Sequence, residues 1–289
     1  MDTTPGAVVV AVGGHATTAA VEYAAAEALR RHRPLHLVHA VDPHDPEDAA
    51  AGSGLLDDAV HLANGLLGEL GRVTSTLVPG APVQAVAHAA EGADLVVVGR
   101  CPESRRTHPY VRSVTGGIGA RVDTPVVSVP EGWEKQAGPS TVVAGVDEPD
   151  KRTDVLVEAF TAARDRQARL LVLCTAWHPP QTHVADPGWT QRAEDELERA
   201  IGEVGASYPE VQVEIHVRNA QAGEALIEAS RHADLVVVGR HTSLLPTGSH
   251  LGPIARSVLR DADCPVLLAT PKAVHRVRMA AAHRLSSAN

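Results

Sequence analysis

The sequence predicts an α/β protein built from two copies of one doubly wound unit. Each copy is a parallel sheet with helices on both faces. Three observations carry this expectation. Ala93-Asp94-Leu95-Val96-Val97-Val98-Gly99-Arg100 recurs residue for residue as Ala233-Asp234-Leu235-Val236-Val237-Val238-Gly239-Arg240, an offset of 140 residues. Four consecutive apolar residues closed by glycine read as a strand buried on both faces, which is the mark of a parallel sheet. Short apolar runs also alternate with stretches of helical spacing, in the same order in both halves. The 289 residues then divide into two units of ordinary domain size. The glycine that ends the repeated strand lets the backbone turn and leaves N–H groups open to a ligand.

The first unit begins with an apolar run, Ala7–Val12, that stops at Gly13-Gly14. Val21, Ala24, Ala25, Ala28 and Leu29 follow with the spacing of an amphipathic helix, which Pro34 ends. Leu35–Val41 is the second predicted strand. Pro43–Gly54, rich in Pro, Asp and Gly, reads as a long loop. Leu55, Leu56, Ala59, Leu62, Ala63, Leu66 and Leu67 mark the second helix. Arg72–Val78 is a third strand and Pro82–Ala90 a third helix, leading into the repeated strand at 93–98. A loop to Tyr110 and a glycine-weakened helix near Val114 follow. Val126–Val129 is the fifth strand, and the linker falls within Glu131–Ser140.

The second unit repeats this order. Thr141–Val146 and Leu170–Ala176 are its first strands, with a helix on Val155, Leu156, Ala159, Phe160 and Ala163 between them. A long loop opens at Trp177. A helix over 191–204, a strand over 211–217 and a helix over 223–230 lead to the repeated strand. Pro253–Leu259 and Val266–Ala269 close the unit. The expected domains are residues 1–137 and 138–273. The tail, 274–289, carries Arg276, Arg278 and Arg284 and reads as a disordered basic extension. The last strands would leave apolar edges exposed, so the two units are expected to pack as an internal pseudo-dimer.

Composition narrows the function. The formal net charge of −9 argues against coating nucleic acid. No apolar run approaches the roughly 20 residues of a membrane helix, and the N-terminus does not read as a signal peptide. Cys101, Cys174 and Cys264 form no Cys-x-x-Cys pair and read as reduced thiols of a cytoplasmic protein. The 16 histidines are scattered without a zinc spacing and a partner carboxylate, so no metal is expected. The chain has neither a Gly-x-Ser-x-Gly elbow nor a Gly-x4-Gly-Lys-(Ser/Thr) loop. No lysine lies in the repeated glycine loops, which counts against phosphoryl transfer and against an enzyme.

The end of each unit carries a more specific signal. Val236-Val237-Val238-Gly239 is followed by Leu251-Gly252-Pro253-Ile254-Ala255-Arg256-Ser257-Val258-Leu259 and then Asp263-Cys264-Pro265-Val266-Leu267. Val98-Gly99, Arg112-Ser113-Val114-Thr115 and Asp123-Thr124-Pro125-Val126-Val127 parallel it in the first unit. These blocks resemble the universal stress protein family in its tandem two-domain form, over nearly the whole chain. The resemblance implies five-stranded parallel sheets in the order 3-2-1-4-5. It also implies pairing through the last strands, within the chain or between copies.

ATP-binding members of that family carry Gly-x2-Gly-x9-Gly-(Ser/Thr) here. Glycines let backbone approach phosphate, and a helix N-terminus with a hydroxyl holds the anion. An aspartate after the first strand helps to fix the adenosine end. Both units depart from this pattern. In the second, Gly239 and Gly252 hold the first and third glycine positions, Thr242 the middle one and Pro253 the Ser/Thr, while Asp147 matches the aspartate. In the first, Gly99 and Ser113 are kept, but Pro102, Arg112 and Gly13 replace the rest.

The nucleotide-binding residues that the resemblance implies are therefore Asp147, Ala176, Gly239, Thr242 and Gly252, with Gly99 and Ser113 in the first unit. Arg105, Arg106 and Arg112 read as a solvated basic loop or an anion-binding one. The function so implied is a cytoplasmic stress-response regulator that binds ATP or AMP and hydrolyses it slowly at most. Its other partner would be an unidentified protein. The alternative is an interaction module that has lost its nucleotide. If only one unit binds, the second is expected to.

Overall fold

A computed structural model describes residues 5–13, 16–101, 114–135, 137–147, 153–176, 188–240 and 251–270. The chain divides into two compact units that part between Glu134 and Lys135. In the first, the apolar runs become β1 (Val8–Ala11), β2 (Leu35–Val41), β3 (Val73–Pro79), β4 (Leu95–Arg100) and β5 (Val126–Pro130). Between them stand α1 (Thr17–Arg31), α2 (Pro46–Leu67), α3 (Pro82–Ala89) and α4 (Val114–Gly119). All pairings are parallel. Val8 pairs with both Leu35 and Leu95, Leu35 with Val73, and Val96 with Val126. The strands therefore run 3-2-1-4-5 across the sheet.

The second unit repeats the plan with β6 (Thr141–Val146), β7 (Arg169–Ala176), β8 (Val213–Asn219), β9 (Leu235–Val238) and β10 (Val266–Leu268). Its helices are α5 (Thr153–Arg166), α6 (Trp189–Gly205), α7 (Ala222–Ser230) and α8 (Pro253–Asp261). Val142 pairs with Leu170 and Leu235, Leu170 with Val213, and Val266 with Val236. The α/β fold and its duplication are as the sequence predicts.

Burial follows strand position. Leu95, Val96 and Val97 are wholly buried, as are Leu235, Val236 and Val237. The outer strand β3 is mostly half-buried, with Ser75 and Pro79 exposed and Val78 buried. This is why the central strands read as unbroken apolar runs while the outer ones do not. Both first helices end in the same way. His32 and Gln167 adopt left-handed backbone at φ 52° and 51°. Beyond each, the next N–H reaches back to the helix, Arg33 to Ala28 O and Ala168 to Ala163 O, both at 2.9 Å. This is the helix stop usually given to glycine.

One segment departs from the sequence reading. Pro43–Gly54 is not a loop, because α2 begins at Pro46. Asp45 caps it, its Oδ1 accepting from the N–H groups of Glu47 and Asp48 at 2.9 and 3.3 Å. Pro46 suits the first helical position, and Glu47 and Asp48 complement the helix dipole. Inside the helix, position 52 is glycine because a Cβ there would stand 2.6 Å from the His39 ring. A short 3-10 turn, Gly68–Leu70, follows α2.

The helix pairs of the two units interlock in opposite senses. In the first, Val83 of α3 packs over Gly117 of α4, where a Cβ would meet Val83 Cγ2 at 3.0 Å. In the second, the glycine is on the other partner. Gly223 of α7 faces Ser257 of α8, with 3.4 Å between an added Cβ and the Ser257 Oγ.

Candidate nucleotide cleft of the second unit

The strand order places β6 between β7 and β9, so the strands after β6 are laid down first on one side of it and then on the other. That is the switch point where open parallel sheets form a crevice at their carboxyl ends. A cleft of about 170 Å³ lies there. Gly145, Val146 and Asp147 line it from the end of β6, Leu173 and Thr175 from β7, and Val238 and Gly239 from the end of β9. Ala222 and Leu226 of α7 and residues 252–255 at the start of α8 complete the wall.

The polar groups of this wall are few. Asp147 is exposed and is the one charged side chain among the lining residues described. The β6–β7 register pairs Val146 with Cys174, so Asp147 falls level with Thr175. Alternation puts Leu173 and Thr175 on the cleft side and Cys174 on the other face. Burial pushes the Cys174 thiol up to about 11, and the charges of Asp147 and then Glu196 add to this.

Gly252 is the N-cap of α8, with extended backbone and no side-chain cap bond. Pro253 follows at the first helical position, so one N–H is missing. The Arg256 N–H already bonds to Gly252 O at 3.1 Å. The N–H groups of Ile254 and Ala255 belong to the helix start, which no intrahelical carbonyl serves.

The predicted site residues divide. Asp147, Gly239 and Gly252 come together in this cleft. Ala176 is the last residue of β7, next to the lining residue Thr175. Thr242 and Ser113 lie outside the described residues, as do Pro102, Arg105, Arg106, Arg112 and the basic tail. Gly99 is at the end of β4 and has a packing reason of its own. A Cβ there would lie 2.7 Å from the Ala16 carbonyl oxygen, just before α1. At Gly13, the place of Asp147 in the first unit, the nearest neighbour is the His39 ring, which bonds through Nδ1 to Val12 O at 2.8 Å.

Gly145, Thr175 and Leu226 were not anticipated from the sequence. Gly145 had a readable signal, since it interrupts the apolar run Val142-Val143-Ala144-Gly145-Val146. A Cβ at Gly145 would meet Leu226 Cδ1 at 2.8 Å, so the glycine lets α7 lie close over β6.

This duplicated fold has its counterpart among known proteins. The profile of the Universal stress protein family matches residues 6–130 and again residues 139–270. The chain belongs to the universal stress protein family. It is 28% identical over 275 residues to universal stress protein Rv2623 of Mycobacterium tuberculosis, covering 88% of this chain and 92% of that protein. Universal stress protein Mb2028c of Mycobacterium bovis is 28% identical over 288 residues, covering 91% and 96%. Among solved structures, a universal stress protein from Archaeoglobus fulgidus superposes with a TM-score of 0.66 at 13% identity, covering 93% of this chain and 98% of that one. A putative universal stress protein from Pseudomonas aeruginosa gives 0.63 at 18% identity, covering 96% and 99%. These likenesses extend the tandem universal stress fold over both units. No helix of the described residues is long and apolar enough to cross a membrane.

Proposed function

We propose that this universal stress protein is a cytoplasmic stress-response regulator whose second unit binds an adenine nucleotide, ATP or AMP, reversibly and weakly. We take it to act by binding rather than by catalysis. The observation that carries this reading is the single cleft shared by Asp147, Gly239 and the start of α8. A carboxylate at one strand end can accept from ribose or base donors. Glycine backbone and a helix N-terminus favour a phosphate. Apolar walls from Leu173, Leu226 and Val238 suit the base. The weakness follows from Pro253, which removes one N–H and the hydroxyl of the family pattern. Each charge-assisted hydrogen bond lost is worth about 1.5–3 kcal/mol.

Calorimetry on the whole chain tests this. Asp147→Ala and Gly252→Arg should each remove most of the binding, while Ser113→Ala, in the first unit, should change it little. The reverse pattern would move the site to the first unit and its basic loop. The second reading, an interaction module without nucleotide, is favoured by the proline at the helix start and by Ile254, 38% exposed beside it. A purified protein that releases no nucleotide on denaturation, and shows no thermal shift with millimolar nucleotide, would select that reading.

A further inference from the structure

We propose that β3, the outer strand of the first unit, is a docking edge for a second copy of this chain, paired antiparallel about a two-fold axis at Ser75. This edge is separate from the last strands, through which the family resemblance implies pairing. β3 pairs with β2 on one side and with no described strand on the other. The Leu35 N–H bonds to Arg72 O, and the Gly80 N–H to Val41 O, both at 2.9 Å. Between these two bonds the ladder with β2 takes the backbone groups of Thr74, Thr76 and Val78. Those of Val73, Ser75 and Leu77 face outward, a row of N–H and C=O groups with no described strand to meet them.

The strand is its own complement. Val73-Thr74-Ser75-Thr76-Leu77 reads nearly the same in both directions about Ser75. Setting Ser75 against Ser75 of the second copy sets Val73 against Leu77 and Thr74 against Thr76. Ser75 with Ser75 and Val73 with Leu77 are then hydrogen-bonded pairs, each residue exchanging both bonds with the one opposite. Every outward group from Val73 to Leu77 is satisfied. Apolar meets apolar and threonine meets threonine, which are favourable cross-strand pairs. Residues 73–87 carry no charged side chain, so a chain of net charge −9 meets its copy along this strand without opposed charges. Pro79, with no N–H to give, closes the window. Leu66 and Leu70, 43% and 88% exposed, lead into the strand, and the second copy's strand would run back past that entry. The matching outer strand of the second unit is guarded instead. β8 carries Glu214, His216 and Arg218, with Glu214 Oε1 2.6 Å from His216 Nε2. Charged side chains along an edge discourage pairing.

Sedimentation of the full chain over a concentration series reads the association, and a reversible dimer is expected. Ser75→Lys sets lysine against lysine across the two-fold and should weaken the dimer by about tenfold or more. Ile215→Lys, at the same place on β8, should leave it unmoved. Ser75→Cys in a Cys101→Ser background gives a reading that does not depend on losing the dimer. Hydrogen-bonded antiparallel pairs hold their Cα atoms about 5.5 Å apart, within disulfide reach. Mild oxidation should therefore link two chains through position 75. Leu77→Cys in the same background should not link, because this register holds its two copies about 13 Å apart along the strands. A chain that stays monomeric at its highest soluble concentration overturns the proposal. So does a dimer that Ser75→Lys leaves intact, a dimer that Ile215→Lys dissolves in its place, or a Ser75→Cys chain that fails to link.

Discussion

Leu226 lies so close over Gly145 that a Cβ at position 145 would stand 2.8 Å from its Cδ1. Both residues line the cleft, so the contact sets how far α7 can close on β6. Gly145→Ala should push Leu226 outward into the cleft. Overpacking of this kind costs about 1–3 kcal/mol, visible as a lower urea midpoint. Nucleotide affinity should fall several-fold more than in Leu226→Ala, which opens the same wall. Equal affinity in Gly145→Ala and the parent would show that this contact does not bound the ligand.

Gly99 should respond differently from its partner in the repeat. Its Cβ would collide with backbone, the Ala16 carbonyl oxygen at 2.7 Å, which cannot rotate away as a flexible side-chain end can. Gly99→Ala should destabilise the first unit by about 1–3 kcal/mol and leave nucleotide affinity at the second unit unchanged. Denaturant titration followed by calorimetry on the folded variant separates the two effects.

These two glycines show what was legible in the sequence and what was not. The eight-residue repeat disclosed the strand and its glycine, hence the duplicated α/β fold. It could not disclose that Gly99 is held by the approach to α1, because that contact joins positions 83 residues apart. Asp94 and Asp234 are likewise identical in sequence and differ in use. Asp94 Oδ2 accepts from Arg31 at 3.2 Å, whereas Asp234 Oδ2 accepts from Ser140 Oγ at 2.6 Å and the Thr141 N–H at 2.9 Å. The start of α2 was legible in Asp45-Pro46-Glu47-Asp48, but the surrounding Pro and Gly content outweighed the cap signal. At the cleft, Asp147, Gly239 and Gly252 followed from a family pattern. Thr175 did not, because strand alternation singles it out only once the register with β6 is known.

Acid should weaken the first unit through His36. The ring is 4% exposed on β2, with Nδ1 2.8 Å from Thr74 Oγ1, and burial holds its pKa below the usual 6.5. The unfolded chain therefore binds this proton more readily than the folded one. Stability contributed here is present above about pH 6.5 and is lost as pH falls below it. Urea unfolding at pH 7.5 and pH 5 should show the loss, and His36→Gln should flatten the difference. An unchanged difference in that variant would assign the acid sensitivity to other groups.

The Cys174 thiol should be silent in the folded protein. It is 2% exposed and its pKa is raised to about 11, so thiolate is scarce at pH 8. Maleimide or disulfide reagents should label it only after denaturation. Because the folded value is raised, its stabilising contribution is complete below the ordinary thiol pKa and is lost as pH rises toward 11. Rapid labelling in native buffer would show that the sheet around β7 opens readily.

The opposed size pairing of the helices bears on how such a gene can change. Where the codons of the two identical octapeptides also match, recombination has a place to misalign. A crossover there would fuse the start of one half to the end of the other and leave a single hybrid domain. One product would set Val83 against Ser257, two side chains where each native unit accommodates one side chain and a glycine. The reciprocal product would be a three-domain chain whose middle domain sets Gly223 against Gly117, with neither side chain to fill the contact. Either mispairing costs stability. The two halves share a backbone plan, yet the contact between their paired helices differs enough that a half-and-half hybrid should be less stable than either native unit.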